Sequence, residues 1–306
     1  MLTKLLWFVA MMLTSGVATS ATISGVRGTT AAILSIKGEL KPGDENLVRE
    51  HLSSTKPGSY VHAYVQSRGG DVHTAIEIGR LLRRHEARVS TDLCMSSCVL
   101  VLIGGVERHV SIYSKPGWGV GLHRPYFGTL SPGLSSAEIA RQRQQLLTEV
   151  AGYIKDMNAS SRLLDLMEAI PPEKIKMLTQ NEVSDLGLDA PDPIWDEKTV
   201  AVGASTYGVT SAEFRRRRAS VDSKCPSSSR PEPTVDQIQG QIVCEESVRW
   251  GLGIQEYRSR DKQYDEWVLS FFGDRASRRI ASDSEVAMAK KCRIRVMVYG
   301  DRQCSK

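Results

Sequence analysis

Between Ser67 and His123 the chain makes three turns of unusual composition, set between short apolar runs. Ser67-Arg68-Gly69-Gly70 follows a β-branched and aromatic run over residues 60–66. Cys94-Met95-Ser96-Ser97-Cys98 follows a second run over residues 89–93. Gly121-Leu122-His123-Arg124-Pro125 comes after a glycine-rich approach, Gly117-Trp118-Gly119-Val120. Helical spacing fills the intervals: Leu47, Val48 and Leu52 before the first turn, and Ala75, Ile76, Ile78, Leu81 and Leu82 after Gly70. Strands alternating with helices in this way call for a parallel sheet with crossover helices, an α/β domain. The first strand is expected at residues 31–36 and later short ones at 109–113 and 120–122. Residues 97–104, apolar almost throughout, are expected to form a buried helix behind the serine turn. Two more helices are expected around 137–158 and 161–169, the second broken by Pro171-Pro172.

A chain of 306 residues has room for two domains. Lys4 precedes the run Leu5-Leu6-Trp7-Phe8-Val9-Ala10-Met11-Met12-Leu13, and Ala18-Thr19-Ser20 supplies small residues behind it. This reads as a secretory signal peptide over residues 1–20, processed just before or after Ala21, because the apolar run is too short for a membrane span. No transmembrane segment is expected after its removal, and the expected location is the periplasm. Residues 28–195 are assigned to the α/β domain. Residues 196–234, dominated by Gly, Ser, Arg and Pro, read as a linker. Residues 235–306 read as a small helical module stapled by disulfides, with helical patterns over 235–264 and 284–299.

The formal charge of +5 is uneven. Residues 1–200 carry 21 Lys+Arg against 21 Asp+Glu, and residues 201–306 carry 19 against 14. Much of the excess is Arg215-Arg216-Arg217-Arg218. No nucleic-acid motif accompanies that run, so it is read as a solvated linker and no nucleic-acid partner is expected. Export to an oxidising compartment favours disulfides among the six cysteines, Cys94, Cys98, Cys225, Cys244, Cys292 and Cys304, with a pair of small buried thiols as the alternative for the first two. Cys94 and Cys98, four residues apart, are within reach of one another across a helical turn. Cys225–Cys244 and Cys292–Cys304 are the most local pairings of the other four, which allow three connectivities, and the first would tether the linker to the module. No spacing matches a zinc ribbon, and neither a metal nor another cofactor is expected.

The three turns hold the parts of an acyl-transfer site. A serine hydroxyl is a poor nucleophile until a base takes its proton and donors stabilise the oxyanion. Ser96 lies where a strand turns into a helix, a position that also suits an N-cap serine. Of the six histidines only His123 combines a glycine-rich approach with a following proline, although a loop histidine would fit there too. Gly69-Gly70 lets backbone N–H groups come close to a bound carbonyl.

Over roughly residues 33–188 the sequence resembles the ClpP/crotonase superfamily, and within it the exported bacterial Clp-protease-like proteins with a Cys-x-Ser-x-Cys turn. The resemblance rests on several pieces. They are Gly38, Ser67-Arg68-Gly69-Gly70 with Ala75-Ile76-Glu77-Ile78-Gly79-Arg80, the serine turn followed by Gly104-Gly105, Leu122-His123-Arg124-Pro125, and Leu178 to Leu188. It implies a spiral of ββα units, with Ser96 as nucleophile, His123 as general base, and the N–H groups of Gly70 and Ser97 as the oxyanion hole. Ser96 is preferred to Ser97 because that register puts Gly105 on the family glycine. Homo-oligomers, and peptide or unfolded-protein substrates, are further implications. The third triad position falls on Ile175, which cannot orient an imidazole, and Glu173, Asp165 and Asp185 are the candidate substitutes. Loss of the acid can lower turnover by up to ~10⁴-fold. Arg68 stands where proline is usual.

The C-terminal module is loosely similar to exported lysozyme inhibitors of the LprI type, through Ile242-Val243-Cys244 and Arg302-Gln303-Cys304. The sequence therefore supports an exported serine peptidase. Its alternative is a catalytically degenerate Clp-like scaffold whose C-terminal module binds protein or cell wall. A thioester- or lipid-handling crotonase-like enzyme is the third reading, with no acyl-carrier signal behind it.

Overall fold

A computed structural model describes residues 20–111, 117–126, 133–226, 234–272 and 283–299. The segment expected to be a signal peptide, apart from Ser20, lies outside the described residues, as does Cys304. The chain divides after Ile194 into two compact units.

The first unit is α/β. Its strands are β1 (Thr22–Val26), β2 (Ala31–Lys37), β3 (Tyr60–Ser67), β4 (Arg88–Met95), β5 (Glu107–Val110), β6 (Gly119–Leu122) and β7 (Lys176–Met177). The helices are α1 (Asp44–Leu52), α2 (Val72–Arg84), α3 (Cys98–Ile103), α4 (Ser136–Asp156), α5 (Arg162–Ala169) and α6 (Gln180–Asp185). The strands form one mixed sheet in the order β1-β2-β3-β4-β6-β7, with β5 also on β4. β2, β3, β4 and β6 run parallel, while β1 and β7 close the ends antiparallel.

Strand alternation fixes which face is covered. Ala32, Leu34 and Ile36 of β2 and Val61, Ala63 and Val65 of β3 are buried, and so are Ile76, Ile78 and Leu82 of α2. All six residues of α3 are buried, as the unbroken apolar run requires. β4 is the pivot of the sheet. The β3–β4 register skips Asp92, a bulge that lets residues 88–91 pair with β5 and residues 93–95 pair with β6. A bulge bends its strand and re-aims the residues beyond it. Ser96 is the first residue beyond β4.

Several expectations change. β1 and β7 were not foreseen, so ordered sheet begins at Thr22, before residue 28. The strand expected at 109–113 lies at Glu107–Val110, and residues 112–116 are outside the described residues. Most of the expected linker is helical: α7 (Pro193–Tyr207), α8 (Ser211–Ala219) and α9 (Val221–Lys224). The reason is that its arginines are partnered. Arg215 and Arg218 reach Asp196, Arg215 also meets Glu197, and Arg216 and Arg217 meet Glu213. Val200, Ala204 and Phe214 make a small core beneath them.

The second unit continues with α10 (Val235–Trp250), α11 (Ile254–Phe272) and α12 (Asp283–Tyr299). The helix expected over 235–264 is two helices, because Gly251 adopts a left-handed φ of 72° and ends α10. Trp250, Tyr257 and Met297 form its main cluster. Disulfides join Cys94 to Cys98 and Cys225 to Cys244. Among the described residues no helix is long and apolar enough to cross a membrane.

Candidate active site

β3, β4 and β6 are adjacent and parallel, so their carboxyl ends open on the same side of the sheet. Gly69-Gly70 follows β3, Ser96 follows β4 and His123 follows β6. Ligands of open α/β sheets bind at this edge. A cavity of about 630 Å³ lies there, and Gly69, Gly70, Ser96, Ser97 and His123 all line it. That size is ordinary for a small-molecule or peptide pocket.

The Gly-Gly turn is held from both sides. Ser67 Oγ donates to Gly38 O at 2.5 Å and accepts from Gly69 N at 3.0 Å. Leu40 N donates to Gly69 O, and Asp71 N donates to Leu40 O, each at 2.8 Å. Gly70 lies between these two bonds at φ +140°, where a β-carbon would sit 2.1 Å from Leu40 O. Only glycine fits. Because the bridge uses the neighbours' groups, the Gly70 N–H keeps no acceptor among the described residues.

Ser96 has φ +56°, a left-handed conformation rare for a residue with a β-carbon. Its amide donates to Gly121 O of β6 at 2.8 Å, which ties the turn to the strand that leads into His123. The disulfide between Cys94 and Cys98 closes the same turn. The N-cap role that could explain a serine here is not used: α3 begins after Ser97, without a side-chain cap. The Ser97 hydroxyl instead donates to Gly70 O at 3.0 Å. Its amide, like that of Gly70, has no acceptor among the described residues. Two N–H groups with no acceptor among the described residues thus belong to residues that line the same cavity as the half-buried Ser96.

His123 is 6% exposed. Its Nδ1 lies 2.9 Å from Arg124 O, and its ring packs against Tyr126 at a centroid distance of 5.5 Å. Ser96 and His123 face one cavity without a direct hydrogen bond. Such contacts are often open in a substrate-free site and tighten around substrate.

The candidate acids separate. Glu173 lines the cavity with Ser96, and so does Ile175, which is 48% exposed. Asp165 and Asp185 line a different cavity of about 370 Å³ together with Glu182. No carboxylate among the described residues bonds to His123. No cluster of His, Cys, Asp and Glu suited to a metal occurs among the described residues either.

Sequence reasoning missed three supporting groups: Leu40, the Ser97 hydroxyl as a strut, and Arg124. Arg124 donates its amide to Ile170 O at 2.9 Å, and its guanidinium to Glu168 O through Nε at 2.9 Å and Nη2 at 2.6 Å. Its position beside His123 was the only available signal. Behind the cavity, Tyr153 is fully buried and donates to Leu100 O at 2.7 Å. Burial pushes its phenol pKa up, so it remains a neutral donor.

Comparison with protein-family models finds no match, and comparison with curated proteins finds none.

Proposed function

We propose that the first unit is a ClpP-like serine hydrolase acting on peptide bonds, and that the chain works outside the cytoplasm, in the periplasm. The observation that carries this reading is the convergence on one cavity of a left-handed serine, a buried histidine and two unpaired N–H groups. In the proposed reaction Ser96 Oγ attacks the substrate carbonyl carbon as its proton passes to His123. The N–H groups of Gly70 and Ser97 stabilise the oxyanion. Collapse of the tetrahedral intermediate breaks the C–N bond, and His123 gives the proton to the departing amine. A water, deprotonated by His123, then attacks the acyl carbon, and the ester C–O bond breaks as His123 returns that proton to Ser96 Oγ.

Unfolded segments or short peptides are the substrates proposed, as the resemblance to Clp proteases implies. The resemblance to Clp proteases adds homo-oligomeric assembly. The weaker resemblance of the C-terminal module gives the second unit a role in binding protein or cell wall.

The test is hydrolysis of a fluorogenic peptide mixture and of a nitrophenyl ester by the purified chain and its Ser96→Ala variant. The proposal requires turnover that the variant loses by at least roughly 10³-fold. Folded wild-type protein that cleaves neither substrate, or an equally active variant, favours the rival reading of a degenerate scaffold. The missing contact between His123 and a carboxylate is the observation behind that rival.

A further inference from the structure

A base that must receive a proton at one ring nitrogen has to be held in a single tautomer, and the usual holder is a carboxylate. Among the described residues no carboxylate bonds to His123. The expected acid position is Ile175, Asp165 and Asp185 line another cavity, and Glu173 makes no hydrogen bond to the imidazole. The imidazole nevertheless has a partner, since its Nδ1 stands 2.9 Å from the main-chain carbonyl of Arg124.

A carbonyl can only accept. At this distance Nδ1 must therefore carry the proton, which leaves the lone pair of the neutral ring on Nε2. We infer that the main-chain carbonyl of Arg124 takes the place of the missing acid, fixing His123 as the Nδ1–H tautomer with Nε2 as the proton-accepting nitrogen. This inference deepens the hydrolase reading and rests on it for the role of His123, though not for the tautomer.

The carbonyl is itself well anchored. The Arg124 amide is bonded to Ile170 O, and its guanidinium forks onto Glu168 O at the carboxyl end of α5. Pro125 restricts the backbone of the residue before it. Arg124 thus acts through another residue, as a positioning group, by holding its own carbonyl against Nδ1. A neutral carbonyl orients the imidazole but brings no charge to the imidazolium that forms, and bonds between charged partners are about twice as strong. The arrangement therefore supplies the geometry of a triad with weaker electrostatics.

The test is ¹⁵N NMR of the full chain labelled at histidine, with the imidazoles neutral and His123→Gln used to assign the signal. The expected spectrum shows a protonated-type Nδ1 and a pyridine-type Nε2 for His123. This is the reverse of free histidine, in which the Nε2–H form predominates. An Nε2–H tautomer would overturn the inference. In Arg124→Gln, which loses the guanidinium fork, the signal is expected to move toward a mixture of tautomers. An unchanged spectrum there would overturn the role given to the fork. The two readings fail separately: an Nδ1–H ring in a protein without hydrolase activity sinks only the function, and an Nε2–H ring in an active enzyme sinks only this inference.

Discussion

Gly69 lies so close to Ser96 that a β-carbon on it would fall 2.6 Å from the serine Cβ and 3.1 Å from its Oγ. The glycine also has φ +103°, a conformation that residues with a side chain rarely adopt. Gly69→Ala is therefore expected to displace Ser96, the proposed nucleophile, as well as strain the turn. Gly58 has φ +78° and open space around it, so Gly58→Ala brings strain alone, about 1–2 kcal/mol. Thermal unfolding and hydrolysis assays of the two variants should separate these effects. Activity should fall by roughly 100-fold or more in Gly69→Ala only. Equal activity in both would mean that the approach of Gly69 to Ser96 has no catalytic weight.

The bridge between Cys94 and Cys98 closes a very short loop, and confining the unfolded chain this way is worth about 2 kcal/mol. Cys225 and Cys244 are 19 residues apart, for which the same reasoning gives about 3 kcal/mol. The Cys94→Ala/Cys98→Ala double variant is expected to lose most hydrolase activity at a modest stability cost, because the bridge holds the left-handed turn of Ser96. Removing Cys225–Cys244 should destabilise the second unit and leave hydrolysis unchanged. Calorimetry with parallel activity assays checks both, and activity surviving the first double variant would refute the role assigned to the bridge.

Arg108 is 5% exposed and donates to the carbonyls of Gly105, Gly187 and Met157 while facing buried Asp192. Burial, then the neighbouring Arg83, lowers its pKa to about 10, and Asp192 opposes the shift. Arg108→Ala leaves the carbonyls of Gly105 and Gly187 without their donor, while Met157 O keeps Arg83, and is expected to cost about 3 kcal/mol. The half-buried pair of Arg80 and Glu77, one helical turn apart, gives the contrast, since Arg80→Ala should cost about 1 kcal/mol. Urea denaturation of the two variants measures the difference.

Glu182 caps α6 through Thr179 and pairs with Lys176 at 2.5 Å. The bond from the Lys176 ammonium, followed by that from the Thr179 amide, holds its carboxyl at about 2, below its ordinary 4.5. A lowered folded-state pKa contributes stability that is complete above the unfolded value and lost as pH falls through the folded one. The Tm difference between wild type and Glu182→Gln should thus be constant above pH 4.5 and shrink toward pH 2. A difference that persists unchanged at pH 2 would contradict this.

The turns were legible because their requirements are local. Gly69, Gly70, Ser96 and His123 are marked by what the backbone must do within a few residues. The groups that constrain them from a distance were not legible. Leu40 makes Gly70 obligatory from thirty positions upstream, and β7 forms where Lys176 and Met177 pair with Leu122 and Gly121. Helices α7 and α8 were hidden by a composition of Ser, Gly and Arg. Their support comes from ion pairs such as Arg218 with Asp196, 22 residues apart. Proximity along the chain could not rank Glu173, Asp165 and Asp185 either, since the fold sends only the first to the cavity of Ser96. A main-chain carbonyl serving in place of an acid leaves no mark in a sequence.

The most direct test of the central claim is labelling of the purified chain by a fluorophosphonate, read as a mass shift on the peptide containing Ser96. The account predicts stoichiometric modification of Ser96 that both Ser96→Ala and His123→Ala abolish. Folded protein that stays unmodified, or modification that persists in Ser96→Ala, would contradict it.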